Sequence, residues 1–225
     1  MEIATSRVAG IDFPDEVIAA SLRDGLDRVE TMLQAASRSD DLLLDEAAAH
    51  LAAAGGKRFR PLLVLLASQF GTPGGPDVDK AAVVVELTHL ATLYHDDVMD
   101  EAAMRRGAAS ANARWTNSVA ILSGDFLFAR ASRLVSTLGP EAVRIIADTF
   151  ALLVTGQMRE TRGAAEHVDE VEHYLKVVYE KTACLIAASG RFGATFSGAD
   201  EEQIERLARL GGIVGTAFQI SDDII

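Results

Sequence analysis

Apolar positions recur along this chain at intervals of three and four, the spacing of helices that bury one face. Val17, Leu22, Leu26, Val29 and Leu33 form the first such run, which Pro14 opens in an N1-like place and Ser37 to Asp41 break. An alanine-rich run over Leu42–Ala53 predicts a second helix stopping at Gly55-Gly56. Pro61 starts a third, Leu62 to Phe70, ended by Gly71. The turn Thr72-Pro73-Gly74-Gly75-Pro76 leads into a long helix that Asp77 or Asp79 is placed to cap. Further helices are expected from Asn117 or Ser118 to Val135, from Pro140 through Gln157 and Arg159, from Val168 to Ser189, and from Asp200 to the end. No stretch alternates as a strand would, and no repeat or low-complexity tract stands out. The prediction is an all-α fold with short connections.

The long helix carries the pattern that organises the rest. An apolar run from Ala81 leads through His89 and Thr92 to Asp96-Asp97-Val98-Met99-Asp100-Glu101, with Arg105-Arg106-Gly107 just beyond. At ~100° per residue Asp96 and Asp100 lie one turn apart on one face, with Asp97 turned aside and Thr92 and His89 continuing the stripe backwards. A second pair, Asp222-Asp223, closes the last apolar helix, and the cations Lys57, Arg58 and Arg60 follow two glycines.

Composition narrows the possibilities. With 225 residues and 49% hydrophobic positions, the chain is expected to fold as a single domain over 1–225 with a substantial core. A net charge of −12 argues against nucleic acid as a partner, although a local basic pocket for a small phosphorylated ligand remains compatible. The lone cysteine, Cys184, excludes an internal disulfide framework and reads as a small core residue. No signal-peptide pattern opens the chain and no run reaches about 18 apolar residues, so a cytoplasmic protein without a transmembrane segment is expected. The last helix stops in mid-pattern, so the domain is expected to be C-terminally incomplete.

Taken singly, each charged motif reads as a solvated helix end or turn. Together they suggest one chemistry. Magnesium prefers oxygen ligands and is often shared between one or two carboxylates and a substrate's phosphates. Carboxylates from two helices can therefore hold a diphosphate through bridging ions, while Lys57, Arg60, Arg105 and Arg106 neutralise phosphate directly. A metal-bound diphosphate is also a good leaving group.

The motifs resemble those of the trans-polyprenyl diphosphate synthases. Gly55-Gly56-Lys57-Arg58-Phe59-Arg60-Pro61 is similar to that family's basic loop, and Glu86 to His89 with Asp96 to Asp100 and Arg105-Arg106-Gly107 to its first aspartate-rich motif. Ser123-Gly124-Asp125-Phe126-Leu127, Gly156-Gln157, Lys181-Thr182 and Phe218 to Asp223 follow in the family's order, so the resemblance covers about residue 50 to the end. It implies an isoprenoid-synthase-type helical bundle around a central cavity, and 1'-4 condensation of an allylic diphosphate with isopentenyl diphosphate. By the same resemblance Asp96 and Asp100, with Asp97 near, bind magnesium on the allylic diphosphate, and Asp222 with Asp223 hold another ion, about two or three in all. Arg105 and Lys181 contact the allylic diphosphate, with Gln219 nearby and Thr182 beside the developing carbocation. Lys57, Arg60, His89 and Arg106 grip isopentenyl diphosphate; His89 alone reads as a buried structural histidine. The family's second motif ends in a further aspartate and is followed by a lysine and closing helices, all beyond Ile225. A homodimer is also implied, with product release at a membrane surface possible.

In related short-chain enzymes, aromatic side chains four or five residues before the first aspartate close the product tunnel. Thr92 and Ala91 occupy those places here, and Thr92 lies ~6 Å below Asp96 and ~40° round, which predicts a medium- or long-chain product of about C30 or more. The role of Ala91 rests on the resemblance alone, and Tyr94 lies off the stripe. Competing readings are a terpene cyclase of the same fold, a non-catalytic subunit of a heteromeric synthase, and a di-iron bundle. The last is raised by the Glu-x-x-His pattern at Glu86/His89 and Glu170/His173.

Overall fold

A computed structural model describes residues 6–224. Helices dominate as the periodicity predicts: α1 (Glu16–Ala36), α2 (Leu42–Ala53), α3 (Phe59–Ala67), α4 (Pro76–Met99), α5 (Ala111–Arg114), α6 (Asn117–Val135), α7 (Pro140–Arg162), α8 (Glu170–Val178), α9 (Cys184–Phe196) and α10 (Glu201–Ile224). Among the described residues, no helix is long and apolar enough to cross a membrane.

Several local expectations are corrected. Strands do occur, in two short antiparallel hairpins: β1 (Ser6–Val8) pairs with β2 (Ile11–Phe13), and β3 (Met104–Arg105) with β4 (Ala108–Ala109). They are too short for alternation to register. Pro14 is not in the first helical turn, because the Asp15 carboxylate accepts from the N–H groups of Val17 (2.9 Å) and Ile18 (3.0 Å) and so caps α1. Helix α3 starts at Phe59 rather than Leu62; Pro61 sits in its first turn, where a missing N–H costs nothing. The N–H of Asp79 bonds to the Gly75 carbonyl (3.0 Å), so Asp77 and Asp79 lie inside the first turn of α4 and complement its dipole instead of capping it. The helix expected over Val168–Ser189 is interrupted by a π turn, Tyr179–Ala183, and continues to Phe196.

The chain forms two compact units. The first comprises Met1–Leu62 and Ala82–Thr137. Within it, Leu22, Val29 and Leu33 form the buried stripe of α1, and Ala47, Ala48 and Leu51 that of α2. Helix α4 is buried on every side along Ala82, Val83, Val84 and Val85, the signature of a central helix. The Tyr94 hydroxyl of α4 donates to the Ala47 carbonyl and accepts from the Leu51 N–H (3.2 Å). Burial pushes its pKa up to about 12.

The second unit comprises Leu63–Ala81 and Leu138–Ile225. Its core is built by close approach of backbones. A Cβ on Gly211 of α10 would lie 2.6 Å from the Ile186 carbonyl oxygen of α9, and one on Gly193 would lie 2.1 Å from the Val64 carbonyl oxygen of α3. Gly193→Ala should therefore lower the unfolding free energy by about 1–3 kcal/mol, read from the urea midpoint. Gly212→Ala, whose Cβ would meet only ordinary contacts at 3.5 and 3.8 Å, should be neutral or stabilise by up to about 1 kcal/mol.

Candidate active site

In the first unit the site grows from the end of α4. Asp96 is half-buried and Asp100 exposed, and the Asp100 N–H bonds to the Asp96 carbonyl (2.8 Å), so the two stack one turn apart. Asp97 turns inward. Its side chain is fully buried, Oδ1 accepts from Arg105 Nε at 2.6 Å, and Oδ2 has no hydrogen-bond partner. Burial pushes its pKa above the usual carboxylate range, against the opposing pull of Arg105. Asp97 thus holds an arginine, and of the three aspartates Asp100 is the exposed one.

Arg105 stands on the β3–β4 hairpin, whose turn residues Arg106 (φ 52°) and Gly107 (φ 77°) give the left-handed pair of a type I′ turn. The hairpin is tied to α2 by His50, whose Nε2 donates to the Ala109 carbonyl (2.7 Å). Arg106 folds back onto the basic loop, where Nη1 donates to the carbonyls of Leu51 (3.1 Å) and Gly55. Gly56 makes this possible. At φ 141° it adopts a conformation closed to most residues, and a Cβ there would lie 3.0 Å from the Arg106 guanidinium carbon. Arg58 spans Glu30 on α1 (2.8 and 3.2 Å), Glu86 on α4 (3.1 Å) and the Ala52 carbonyl (2.8 Å). Lys57 is exposed and Arg60 half-buried.

His89, half-buried one turn along α4 from Glu86, is held well below the usual imidazole range. Burial is the main cause, followed by the positive field of Arg60, Arg106, Arg105 and Arg58. Ala91 is fully buried, and the half-buried Thr92 spends its hydroxyl on the His89 carbonyl (2.8 Å). His95, left unassigned by its sequence position, lies against Gly124 of α6 and pairs with Asp125 (Nε2–Oδ1 3.2 Å).

In the second unit the π turn sets the geometry. It is clamped to α7 by a buried Arg159–Glu180 pair (2.8 Å) and by Lys181 with Glu160. Gly156 of α7 allows the approach, since its Cβ would lie 2.7 Å from the Lys181 nitrogen. A π turn shifts helical phase by a residue and is frequent at functional sites. Here the Thr182 hydroxyl donates to Gln219 Oε1 (2.8 Å), Gln219 Nε2 donates to Asp223 Oδ1 (2.7 Å), and the Tyr174 hydroxyl donates to Asp223 Oδ2 (2.6 Å). The hydrogen bond to Asp223 raises the pKa of Tyr174. Lys181, Thr182, Gln219, Asp223, Tyr174 and Glu160 border a cavity of about 280 Å³, and Asp222 is exposed on the last turns of α10.

The structure thus joins Lys181, Thr182, Gln219 and Asp223 in one network, and Asp97, Arg105 and Arg106 in another. Sequence reasoning missed Arg58 and Glu86 as partners, Tyr174, and Gln157, whose buried Oε1 has no hydrogen-bond partner. The Gly-Gln pair was the available signal for the last. The di-iron reading fails, because Glu86 is held by arginines and not by an imidazole-carboxylate cluster. Among the described residues, no group of three or more His, Cys, Asp and Glu side chains could by itself hold a metal ion. The exposed carboxylates Asp100 and Asp222 offer hard oxygen donors, which fit magnesium that draws its other ligands from a diphosphate and water.

Comparison with known proteins places these features. The model of the polyprenyl synthetase family matches residues 41–225. The chain is 62% identical, over its whole length and 68% of the relative, to a nonaprenyl diphosphate synthase of Mycobacterium tuberculosis. It is 50% identical, over 97% of its length and 67% of the relative, to a dimethylallyltranstransferase of the same organism. A crystal structure of geranylgeranyl pyrophosphate synthase from Corynebacterium glutamicum, complexed with calcium and isoprenyl diphosphate, superposes with a TM-score of 0.86 at 53% identity, covering 96% of this chain and 66% of that one. A decaprenyl diphosphate synthase from Rhodobacter capsulatus gives 0.86 at 36% identity, covering 92% and 65%. The chain therefore spans about two thirds of the length of the relatives it matches.

The depressed His89 pKa has a sign that can be checked. Its contribution to stability is full above the usual imidazole pKa and is lost as pH falls below about 6.5, where the unfolded chain takes up a proton and the folded chain does not. Urea midpoints of the wild type should fall between pH 7.5 and 5.5, and His89→Gln should flatten that dependence by up to about 1.4 kcal/mol per pH unit.

Proposed function

Because the chain belongs to the polyprenyl synthetase family, we propose that it condenses an allylic diphosphate with isopentenyl diphosphate, extending a trans-polyprenyl diphosphate. The observation that carries this reading is the stacked Asp96/Asp100 pair at the end of α4, beside an arginine-bearing hairpin and a glycine-framed basic loop in the same unit.

Each side chain has a defined task in this reaction. Asp96 and Asp100 hold magnesium on the allylic diphosphate, and Asp222 of the second unit holds a further ion. Magnesium, when bound, neutralises the charge that develops on the departing diphosphate oxygens. Asp97 fixes Arg105, and Arg105 and Lys181 bind the allylic diphosphate. Thr182, its hydroxyl oriented by Gln219, faces the allylic carbocation that forms when the diphosphate leaves. Lys57, Arg60 and Arg106 bind isopentenyl diphosphate, and His89, kept neutral by burial and then by its cationic neighbours, donates a hydrogen bond without adding charge. The isopentenyl double bond attacks the cation, and a proton passes from the new cation to the departed diphosphate, which regenerates an allylic diphosphate. No side chain acts as a nucleophile.

The small residues Ala91 and Thr92 leave room for a growing chain. The 62% identity to a nonaprenyl diphosphate synthase supports a product at the longer end. We also propose a cytoplasmic homodimer, the arrangement implied by the resemblance. No feature favours the cyclase, since the relatives are named for transfer and elongation rather than cyclisation.

Full-length protein incubated with magnesium, isopentenyl diphosphate and C5 to C20 allylic primers should yield medium- or long-chain products on sizing. No condensation with any primer would refute the reading. Asp100→Ala should lower kcat by roughly 10³-fold or more while the protein stays folded by circular dichroism. Ala91→Phe should shorten the product distribution; an unchanged distribution removes Ala91 from the tunnel wall.

A further inference from the structure

We propose that Glu86 is the positioning residue of the basic pocket, setting the spacing between the Lys57/Arg60 loop and the Arg105/Arg106 hairpin. The inference rests on the reading that this pocket takes isopentenyl diphosphate. Glu86 lies two turns or more before the aspartates of the first motif, and it pairs with Arg58 and Arg106 rather than with a cation assigned to the allylic diphosphate. It sits on α4 with only 2% of its surface exposed, so its charge is stable only if paired.

Its partners come from two separate segments. Arg58 of the basic loop donates Nη1 to Glu86 at 3.1 Å, and Arg106 of the hairpin brings Nη2 to 3.6 Å. Both arginines have left-handed backbone, φ 47° and 52°, which a long side chain adopts only when its surroundings hold it there. For Arg106 the type I′ turn sets that conformation, and the shared carboxylate pins both side chains. Arg58 spends Nε and Nη2 on Glu30 and the Ala52 carbonyl as well, so its donors are committed to the protein and it acts as a brace. Lys57 and Arg60 flank Arg58, so fixing Arg58 and Arg106 fixes Arg106 itself and the directions of Lys57 and Arg60, while Arg105 is held separately by Asp97.

Charge supports the same role. Arg58, Arg60, Arg105 and Arg106 together depress the pKa of His89, so this is a crowded positive field. Glu86 is the buried anion shared between two of those arginines. Without its charge they repel each other and the two segments part, while the acids at the end of α4 keep their helix.

The test is Glu86→Gln in the full-length protein, which retains shape and removes charge. The KM for isopentenyl diphosphate should rise about tenfold, with the KM for the allylic primer within about threefold and the circular dichroism spectrum retained. A fall in kcat that tracks the folded fraction, with both KM values unchanged, would overturn the proposal, because a merely structural role predicts that pattern. Should Glu86→Gln not fold, Glu30→Gln loosens Arg58 alone from a more exposed side and should raise the same KM about threefold; an unchanged KM there counts against the proposal. Calorimetry with inorganic pyrophosphate in metal-free buffer separates the two claims. Weaker pyrophosphate binding in Glu86→Gln, with no condensation by the wild type, sustains the positioning role and removes the proposed activity. Equal binding by variant and wild type overturns the positioning role.

Discussion

A carboxylate removed from water must be paid for by its partners, and in the first unit Glu86 draws those partners from two loops that are far apart in sequence. Arg58 and Arg106 converge on it, Glu30 steadies Arg58, and the carbonyls at the end of α2 take the remaining donors. Removing one member of such a buried pair is far more damaging than replacing the whole. The pairing ties the basic loop and the hairpin to one point on α4. The glycines before the loop belong to the same device, since Gly56 vacates the volume that the Arg106 guanidinium fills.

The same economy runs through the acids. Of the first three aspartates, Asp97 is turned inward to hold Arg105, Asp96 is half-buried and Asp100 is exposed. In the second unit Asp223 is engaged by Tyr174 and Gln219, whereas Asp222 faces outward. Each cluster thus contains a carboxylate that organises its neighbours, buried at Asp97 and exposed at Asp223, and the adjacent residue points about 100° away.

Overall charge and local charge have opposite signs here. A chain of net charge −12 gathers five cations around the beginning of α3 and the hairpin, and four of them, the arginines, add to the burial that holds the His89 pKa down. Under the proposed function, a diphosphate meets there a positive surface that need not reorganise during reaction, which is where electrostatic catalysis has most effect.

The helices, the paired acids and the family were legible in the sequence, because helical periodicity and short motifs are local properties. The run from Ala81 to Asp100 states both its helical form and its acidic end without reference to any other segment. What only the tertiary structure decided depends on contacts between distant residues. The turning of Asp97 onto Arg105 was of this kind, as were the sharing of Glu86 by Arg58 and Arg106, the π turn beneath Lys181 and Thr182, and the capture of Asp223 by Tyr174. No periodicity encodes these arrangements, since each depends on which polar groups the fold brings within reach, and for Asp97 and Glu86 on the need to pair a buried charge.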